Sequence, residues 1–122
     1  MEIIQLAIAD SSYAAALRDQ LVRNAAWKVL TVDVPDPRKD GVMVLDARSL
    51  ELLPSSIRQP ERVVLITPND PRNLARAWEA GVVSVVFEHD PVSTAMLAIM
   101  AARLKVSKPA VETVVSGEGK GR

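Results

Sequence analysis

The 122-residue sequence contains no cysteine, and its acidic and basic residues cancel at 15 each. The lack of cysteine excludes disulfides, thiol nucleophiles and thiolate metal sites, and it fits a reducing compartment, so we expect a cytoplasmic protein. A net charge of zero gives no global electrostatic reason for avid binding to nucleic acid. No apolar run approaches the ~20 residues that span a bilayer, and Met1–Gln5 carries no basic segment before an apolar stretch. We therefore expect one soluble domain with neither a secretion signal nor a membrane span.

Five short apolar runs, rich in β-branched residues, alternate with helical patterns along the chain. Runs of this kind are typical of strands that are buried on both faces of a parallel sheet. Their alternation with helices predicts an α/β fold of five βα units, a doubly wound parallel sheet with helices on both faces. The predicted strands are Ile3–Ala9, Trp27–Val32, Val42–Leu45, Arg62–Ile66 and Val82–Phe87.

The first half of the chain predicts one full helix after the first strand, and the segment after the second strand is too short and too rich in proline for another. Ser11 or Ser12 is expected to cap a helix over Tyr13–Asn24, because serine oxygens accept the free N–H groups of a first turn. The segment Val34–Gly41 holds two prolines and a glycine, which predicts a loop where a second helix would otherwise lie. One face of the sheet is therefore expected to be thinly covered there, which leaves a possible docking surface.

The later helices carry clear boundary signals. An aspartate followed by proline is a cap with a preorganised first turn, and glycine after a helical pattern ends it. The last helix should run to Leu104, which gives a domain over residues 1–105 and a flexible tail or linker over 106–122. The predicted signals are a short helix from about Ser49 to Leu53 stopped by Pro54, the caps Asp70–Pro71 and Asp90–Pro91, Gly81 as a helix end, and the last helix over Val92–Leu104.

Polar residues stand where the predicted strands end. In an open doubly wound sheet, the functional crevice lies outside the carboxyl ends of the strands, so these residues are the candidates for chemistry. They place three carboxylates and a hydroxyl along one edge. They are Asp10 and Ser11 after the first strand, Asp46 after the third, Thr67 after the fourth, and Glu88 with His89 after the fifth.

Across about residues 3 to 104, the sequence resembles the receiver domain of bacterial two-component response regulators. The matching stretches are LAIADSS, VMVLDARS, VVLITPND and WEAGVVSVVFEHDP, in the order and spacing of the strand ends. The resemblance implies a flavodoxin-like strand order of 2-1-3-4-5, with the second helix reduced or missing. It also implies a role in signal transduction rather than an enzyme of metabolism.

The resemblance assigns roles to three of the strand-end positions. Asp46 matches the phosphoacceptor, whose carboxylate attacks a phosphoryl group supplied by a histidine kinase. Thr67 matches the hydroxyl residue that contacts the transferred phosphoryl group. Asp10 and Asp46 match ligands of Mg²⁺, but Ser11 stands where the family has a second acid, so we expect only a weak Mg²⁺ site and no required cofactor.

Two further positions depart from the family pattern. Glu88 stands where the family has a lysine that pairs with the phosphoacceptor, and a carboxylate there repels a dianionic phosphoryl group. Val85 replaces the aromatic residue that switches position in the family, and valine has no ring to swing. These departures predict an atypical or pseudo-receiver that works by binding a partner, with phosphorylation weakened or lost and no enzymatic activity.

Other interpretations of the same residues stay open. The chain could be a receiver that a histidine kinase still phosphorylates on Asp46. It could also be a flavodoxin-like cofactor binder with Ser11 and Ser12 around a phosphate, although it lacks the glycine that lets backbone approach one closely. Asp10 and Asp46 could be simple helix caps, while Glu88 and His89 could be solvated surface residues.

The predicted last helix is apolar on most sides, more than one sheet face can bury. Receivers of this family commonly pair through the last strand and last helices, so we expect a dimer or partner interface there. No DNA-binding helix pair follows the domain, and we expect neither direct nucleic-acid binding nor membrane binding. The predicted interface residues are Trp78, Met96, Ile99 and Met100.

Overall fold

A computed structural model describes residues 3–24, 28–36, 38–39, 41–52, 59–82 and 84–107. Strands and helices alternate along it, and a single turn of 3-10 helix over Pro60–Arg62 precedes the fourth strand. Among the described residues, no helix is both long enough and apolar enough to cross a membrane. The elements are β1 (Ile3–Ala7), α1 (Ser11–Asn24), β2 (Lys28–Thr31), β3 (Val42–Asp46), α2 (Ala47–Leu50), β4 (Val63–Thr67), α3 (Pro71–Glu79), β5 (Ser84–Phe87) and α4 (Val92–Ser107).

The five strands form one parallel sheet in the order β2-β1-β3-β4-β5. Leu6 pairs with Val44, and Val44 pairs with Val64 in the next strand, so the central strands are in close register. Parallel neighbours must be joined by crossovers, and helices supply most of these here. The predicted fold class and strand order are confirmed.

The core has two layers because β3 and β4 are buried on both faces. We call the two sides the α1/α4 face and the α2/α3 face, after the helices that cover them. The α1/α4 face carries more buried apolar side chains, which include Leu17, Leu21 and Ile99. On the α2/α3 face, Met43 and Leu65 pack with Ala77 of α3. Alternate strand residues therefore serve opposite layers, as a doubly wound sheet requires.

The first helix begins two residues earlier than the predicted Tyr13, and its cap is an aspartate. One carboxylate oxygen of Asp10 accepts hydrogen bonds from the backbone N–H groups of Ser12, at 3.0 Å, and Tyr13, at 3.1 Å. Ser11 is already the first helical residue. The prediction that Ser11 or Ser12 caps this helix is wrong, because both serines lie within α1 and Asp10 accepts the N–H groups of its first turn.

The other boundaries follow the predicted signals with shifts. Helix α2 is Ala47–Leu50, so it begins before the predicted Ser49. Helix α4 starts at Val92 as predicted but continues to Ser107. Within the described residues Asp90 does not act as the predicted cap, because its carboxylate accepts from the Phe87 N–H, before the helix, at 3.0 Å. Several predicted positions lie outside the described residues, so the tail and the 105/106 boundary stay predictions. Those positions are Trp27, Leu53, Pro54, Val83 and residues 108–122.

Helix α3 has both of its predicted ends. The Asp70 carboxylate accepts from the Arg72 N–H at 2.8 Å, with Pro71 in the first turn. At the other end, Gly81 has a φ of +87°, and its N–H donates to the Trp78 carbonyl. The Val82 N–H donates to the Ala77 carbonyl, which completes the two-bond closure of a helix by a left-handed glycine.

The described residues between β2 and β3 contain no helix, as predicted, and a buried glutamine holds the loop that replaces it. Gln5, in β1, is only 1% exposed. Its side-chain amide donates to the Asp36 carbonyl at 2.9 Å, and its side-chain oxygen accepts from the Asp36 N–H at 2.8 Å. A polar group in a strand interior is costly unless its hydrogen bonds are met, and Asp36 meets both. These two hydrogen bonds thus hold the loop between β2 and β3 to β1, and the thin cover of one face stays a prediction.

A buried arginine fixes the far end of the same loop. Arg62 is 7% exposed, and its Nε donates to the Gly41 carbonyl at 2.7 Å, while its Nη2 donates to the Lys39 carbonyl. Gly41 has a φ of +107° and lies against the backbone of Ile3. The loop therefore reaches β3 through a tight glycine that only fits without a side chain.

Candidate functional site

The sequence-predicted residues come together at the carboxyl edge of the sheet. Asp46 is the last residue of β3 and pairs with Ile66, so Thr67 ends the neighbouring strand β4 one residue further on. Thr67 pairs with Phe87 at the end of β5, and Glu88 follows directly. The parallel register thus brings the ends of β3, β4 and β5 to one edge, as the sequence predicted.

Both oxygens of the Asp46 carboxylate accept backbone hydrogen bonds. Oδ1 accepts from the Ser49 N–H at 2.8 Å and so caps α2. Oδ2 accepts from the Ala9 N–H at 2.8 Å, across the gap to the loop that follows β1. The Ser49 hydroxyl strengthens the same junction, because it is buried and donates to the Ala7 carbonyl at 2.7 Å. Asp46 therefore ties the end of β1 to the end of β3.

Asp10 and Ser11 lie exposed at the start of α1, next to this junction. Between them, the Asp10 and Asp46 carboxylates accept four backbone N–H groups. Within the described residues, no three His, Asp or Glu side chains come together so as to hold a metal ion. The weak Mg²⁺ site at Asp10 and Asp46 stays a prediction.

Thr67 and Glu88 face very different surroundings. Thr67 is fully buried, and its hydroxyl donates to the carbonyl of Pro68 at 3.2 Å. Glu88 is exposed, and its backbone N–H donates to the Thr67 carbonyl at 3.0 Å. The backbone of Glu88 is therefore fixed beside the candidate site, while its side chain is exposed.

The remaining predicted positions on β5 are placed on its two sides. Val85 pairs with Leu65 and packs, partly buried, against the α2/α3 face. His89 is exposed, and its ring stacks on Phe87 with a centroid separation of 6.1 Å. Val85 is thus a packing residue in this structure, whereas His89 lies at the surface.

Tyr13, in the first turn of α1, has a buried hydroxyl with no hydrogen-bond partner among the described residues. Burial raises the pKa of this phenol, and the negative charge of Asp90 raises it further. Elsewhere, hydrogen bonds from Arg38 lower the pKa of Asp36 in the loop before β3. Both groups keep their ordinary charge state at neutral pH.

Sequence reasoning missed the residues that hold the site together. Ser49 stands three residues after Asp46, the spacing of a cap and its partner, so this contact had a signal. Gln5 interrupts an otherwise apolar strand, which was also a visible anomaly. The Ala9 N–H left no trace in the sequence, because every residue except proline carries one.

Half of the predicted interface residues on the last helices lie in the core. Ile99 is 0% exposed and Met96 8% exposed, and both belong to the α1/α4 face. The prediction that they contact a partner is wrong, because α4 turns this side to the sheet. Trp78 and Met100 are exposed as the prediction requires, with Leu97 and Leu104 on the outer side of α4.

Comparison with solved structures identifies the fold as that of response-regulator receivers. The response regulator StyR aligns with a TM-score of 0.63 and 22% identity over 92% of this chain, which spans 65% of the StyR chain. A receiver domain from Rhodospirillum rubrum aligns at 0.61 with 13% identity, over 87% of this chain and 95% of the other. A response regulator from Burkholderia pseudomallei, solved with a phosphorylated aspartic acid, calcium ion and citrate, aligns at 0.59 with 14% identity, over 95% of this chain and 78% of the other.

These likenesses are low in identity and establish the fold alone. No protein-family model matches the chain, and no curated protein sequence matches it significantly. The predicted receiver fold is confirmed by the three-dimensional comparison. What the site does must be argued from its own residues.

Proposed function

We propose that this chain is a receiver-like protein-binding module of bacterial signal transduction in which phosphorylation of Asp46 is weakened or lost. The observation that carries the proposal is the Asp46 carboxylate, whose two oxygens each accept a backbone N–H at 2.8 Å. An oxygen that forms a bond to phosphorus has to give up or weaken its hydrogen bond, which here also holds the β1 end in place. The hydrogen bonds through which Asp46 stabilises the fold therefore make its carboxylate a weaker nucleophile.

The charge at position 88 supports the same conclusion. Transfer of a phosphoryl group needs cationic groups around its negatively charged oxygens. Glu88 is exposed, with its backbone anchored to Thr67, and brings a negative charge to this edge of the sheet instead. Asp10, Asp46 and Glu88 place three carboxylates at this edge, against the cation of Arg48 two residues after Asp46. The excess of negative charge disfavours an added phosphoryl group.

We expect no phosphoryl adduct when the protein is incubated with acetyl phosphate or phosphoramidate and Mg²⁺ and its intact mass is measured. Glu88→Lys should gain a measurable adduct, because the substitution replaces a repelling charge by an attracting one. Asp46→Asn in the Glu88→Lys background is the matched control, since it keeps an amide oxygen as cap but cannot form an acyl phosphate.

An adduct on the unmodified protein that Asp46→Asn abolishes would overturn the proposed loss of phosphorylation. It would favour the second candidate, a receiver that a histidine kinase phosphorylates on Asp46. The buried Thr67 hydroxyl beside the site is the feature that supports this second candidate. An adduct on another residue would support neither.

We further propose that the outer side of α4 forms the surface through which two copies of the chain pair. Leu97, Met100 and Leu104 follow at helical spacing and lie on one side of α4. Leu97 is 67% exposed although it is a large apolar side chain, and Met100 and Leu104 on the same side of α4 are exposed as well. A row of exposed apolar residues along one helix marks an interaction surface more often than an isolated one does. Trp78 of α3 is also exposed, but it belongs to the helix on the other face of the sheet and is not part of this surface.

Sedimentation velocity over a range of concentrations tests the pairing. We expect a monomer–dimer equilibrium that Leu97→Glu shifts toward the monomer by about tenfold or more, because a carboxylate would be buried in the interface. Val22→Glu is the matched control, since Val22 is a similarly exposed apolar residue on α1. A monomer at every concentration, or equal effects of both variants, would contradict pairing through this surface.

A further inference from the structure

A cleft of about 760 Å³ lies between α1 and β2, away from the outer side of α4. Ala14 and Ala15 of α1 border it, and their small side chains leave the space that larger residues would fill. Ile8 and Val29, both partly buried, add apolar surface. The cleft is thus a consequence of alanines at the place where α1 passes over the edge of the sheet.

Two arginines from different helices line this cleft, Arg18 of α1 and Arg48 of α2. Within the described part of the chain, neither guanidinium forms an ion pair or a side-chain hydrogen bond, whereas Arg38 pairs with Asp36 and Arg76 with Glu51. Asp33 is the only carboxylate among the lining residues that the structure describes, and these residues together carry a net positive charge. Guanidinium groups favour carboxylates as partners, because two parallel N–H donors match two oxygens.

The cleft also follows the open edge of the sheet. Strand β2 ends the strand order and pairs with β1 alone among the described strands. Three consecutive residues, Val29 to Thr31, line the cleft, although successive side chains point to opposite faces. The lining at these residues therefore includes strand backbone, and β2 is the strand whose outer edge is available to an added strand.

We propose that this cleft binds an extended acidic peptide segment of a partner protein, held by Arg18 and Arg48 and by the edge of β2. A small molecule fits the cleft less well, because small-molecule sites bury most of their ligand. Here Arg18, Arg48 and Thr31 are all exposed, so the cleft is open to solvent. An extended segment with acids at alternate positions would place them on one side, toward the arginines.

The proposal rests on the proposed function only in that the chain acts by binding proteins. It names a surface that borders the candidate site at Ala9 and Ser11, and the chemistry of what binds there. Its test is an NMR titration of the ¹⁵N-labelled protein with a capped eight-residue peptide that alternates threonine and glutamate. The same peptide with lysine in place of glutamate is the charge control. We expect saturable shifts of backbone amides along Ala14–Arg18 and Val29–Thr31 with the glutamate peptide alone.

Arg18→Gln and Arg48→Gln should each weaken this binding about tenfold, the loss expected for one charge-assisted hydrogen-bonded contact. Arg72→Gln is the matched control and should bind as the unmodified protein does, because Arg72 is exposed on α3 and does not line the cleft. Four results would each overturn the proposal. They are the absence of saturable shifts up to millimolar peptide, shifts at other surfaces, equal binding of the lysine peptide, and an equal loss of peptide affinity in Arg72→Gln. A phosphoryl adduct on Asp46 in the mass measurement would overturn the proposed function and leave this binding result standing.

Discussion

Replacing Gly41 by alanine is expected to lower the free energy of unfolding by about 3–5 kcal/mol, a large share of a small domain's stability. Gly41 has a φ of +107°, a backbone conformation that L-residues rarely adopt. A Cβ at this position would overlap the carbonyl oxygen of Ile3 and lie 2.9 Å from its carbonyl carbon. Backbone of the first strand cannot move aside without loss of its pairing with β2 and β3.

Urea unfolding followed by circular dichroism measures this effect, and Gly81→Ala is its matched control. Gly81 also has a positive φ, of +87°, but an added Cβ would meet only the ring of Pro60, 3.0 Å away at Cγ. We expect a loss of about 1–2 kcal/mol there, from backbone strain without a backbone clash. Equal losses in the two variants would contradict the close approach of Gly41 to β1.

The alternation of elements was predictable because each strand is an apolar run and each helix begins or ends with a polar or glycine signal. Asp70 and Gly81 act as their neighbours in sequence suggested. The cap of α1 was not predictable in the same way, since Asp10, Ser11 and Ser12 are all good caps and stand side by side. The geometry of the β1 end decides among them.

The loop before β3 shows what sequence patterns cannot supply. Its prolines and glycine predicted a loop, but nothing local announced that Gln5 and Arg62 would hold it. Both are distant in the chain, and both contacts are made to backbone groups, which every residue offers. A polar residue within an apolar strand therefore predicts that it has a hydrogen-bond partner, but it does not predict which residue that partner is.

The interface prediction failed in part for a related reason. Apolar residues surround most of α4, so the period of the pattern does not determine which side faces the sheet. Tertiary packing places Met96 and Ile99 inward and leaves Leu97 and Met100 outward. The placement of Asp46 and Thr67 at one edge of the sheet was easier to predict, because it depends only on where the parallel strands end.

Asp46→Ala is expected to lower the free energy of unfolding by about 2–4 kcal/mol. The substitution removes the cap of α2 and also the acceptor of the Ala9 N–H, so it loosens two connections at once. Asp70→Ala is the matched control, because Asp70 caps α3 through the Arg72 N–H and its carboxylate accepts no second hydrogen bond from the part of the chain that the structure describes. We expect a loss of about 1 kcal/mol for that variant, the usual value of a single cap. Urea unfolding of both proteins at the same pH makes the comparison.

The sign of this difference separates the two roles that Asp46 can have. If Asp46 is retained for phosphoryl transfer, its charge is repelled by the neighbouring acids. Its removal then leaves the free energy of unfolding unchanged or raises it. If Asp46 is retained because it joins β1 to β3, its removal lowers the free energy of unfolding, because the Ala9 N–H loses its acceptor. A stable Asp46→Ala variant would therefore speak for retained chemistry and against the proposed function. A loss larger than that of Asp70→Ala would make Asp46 a structural clamp on a receiver fold.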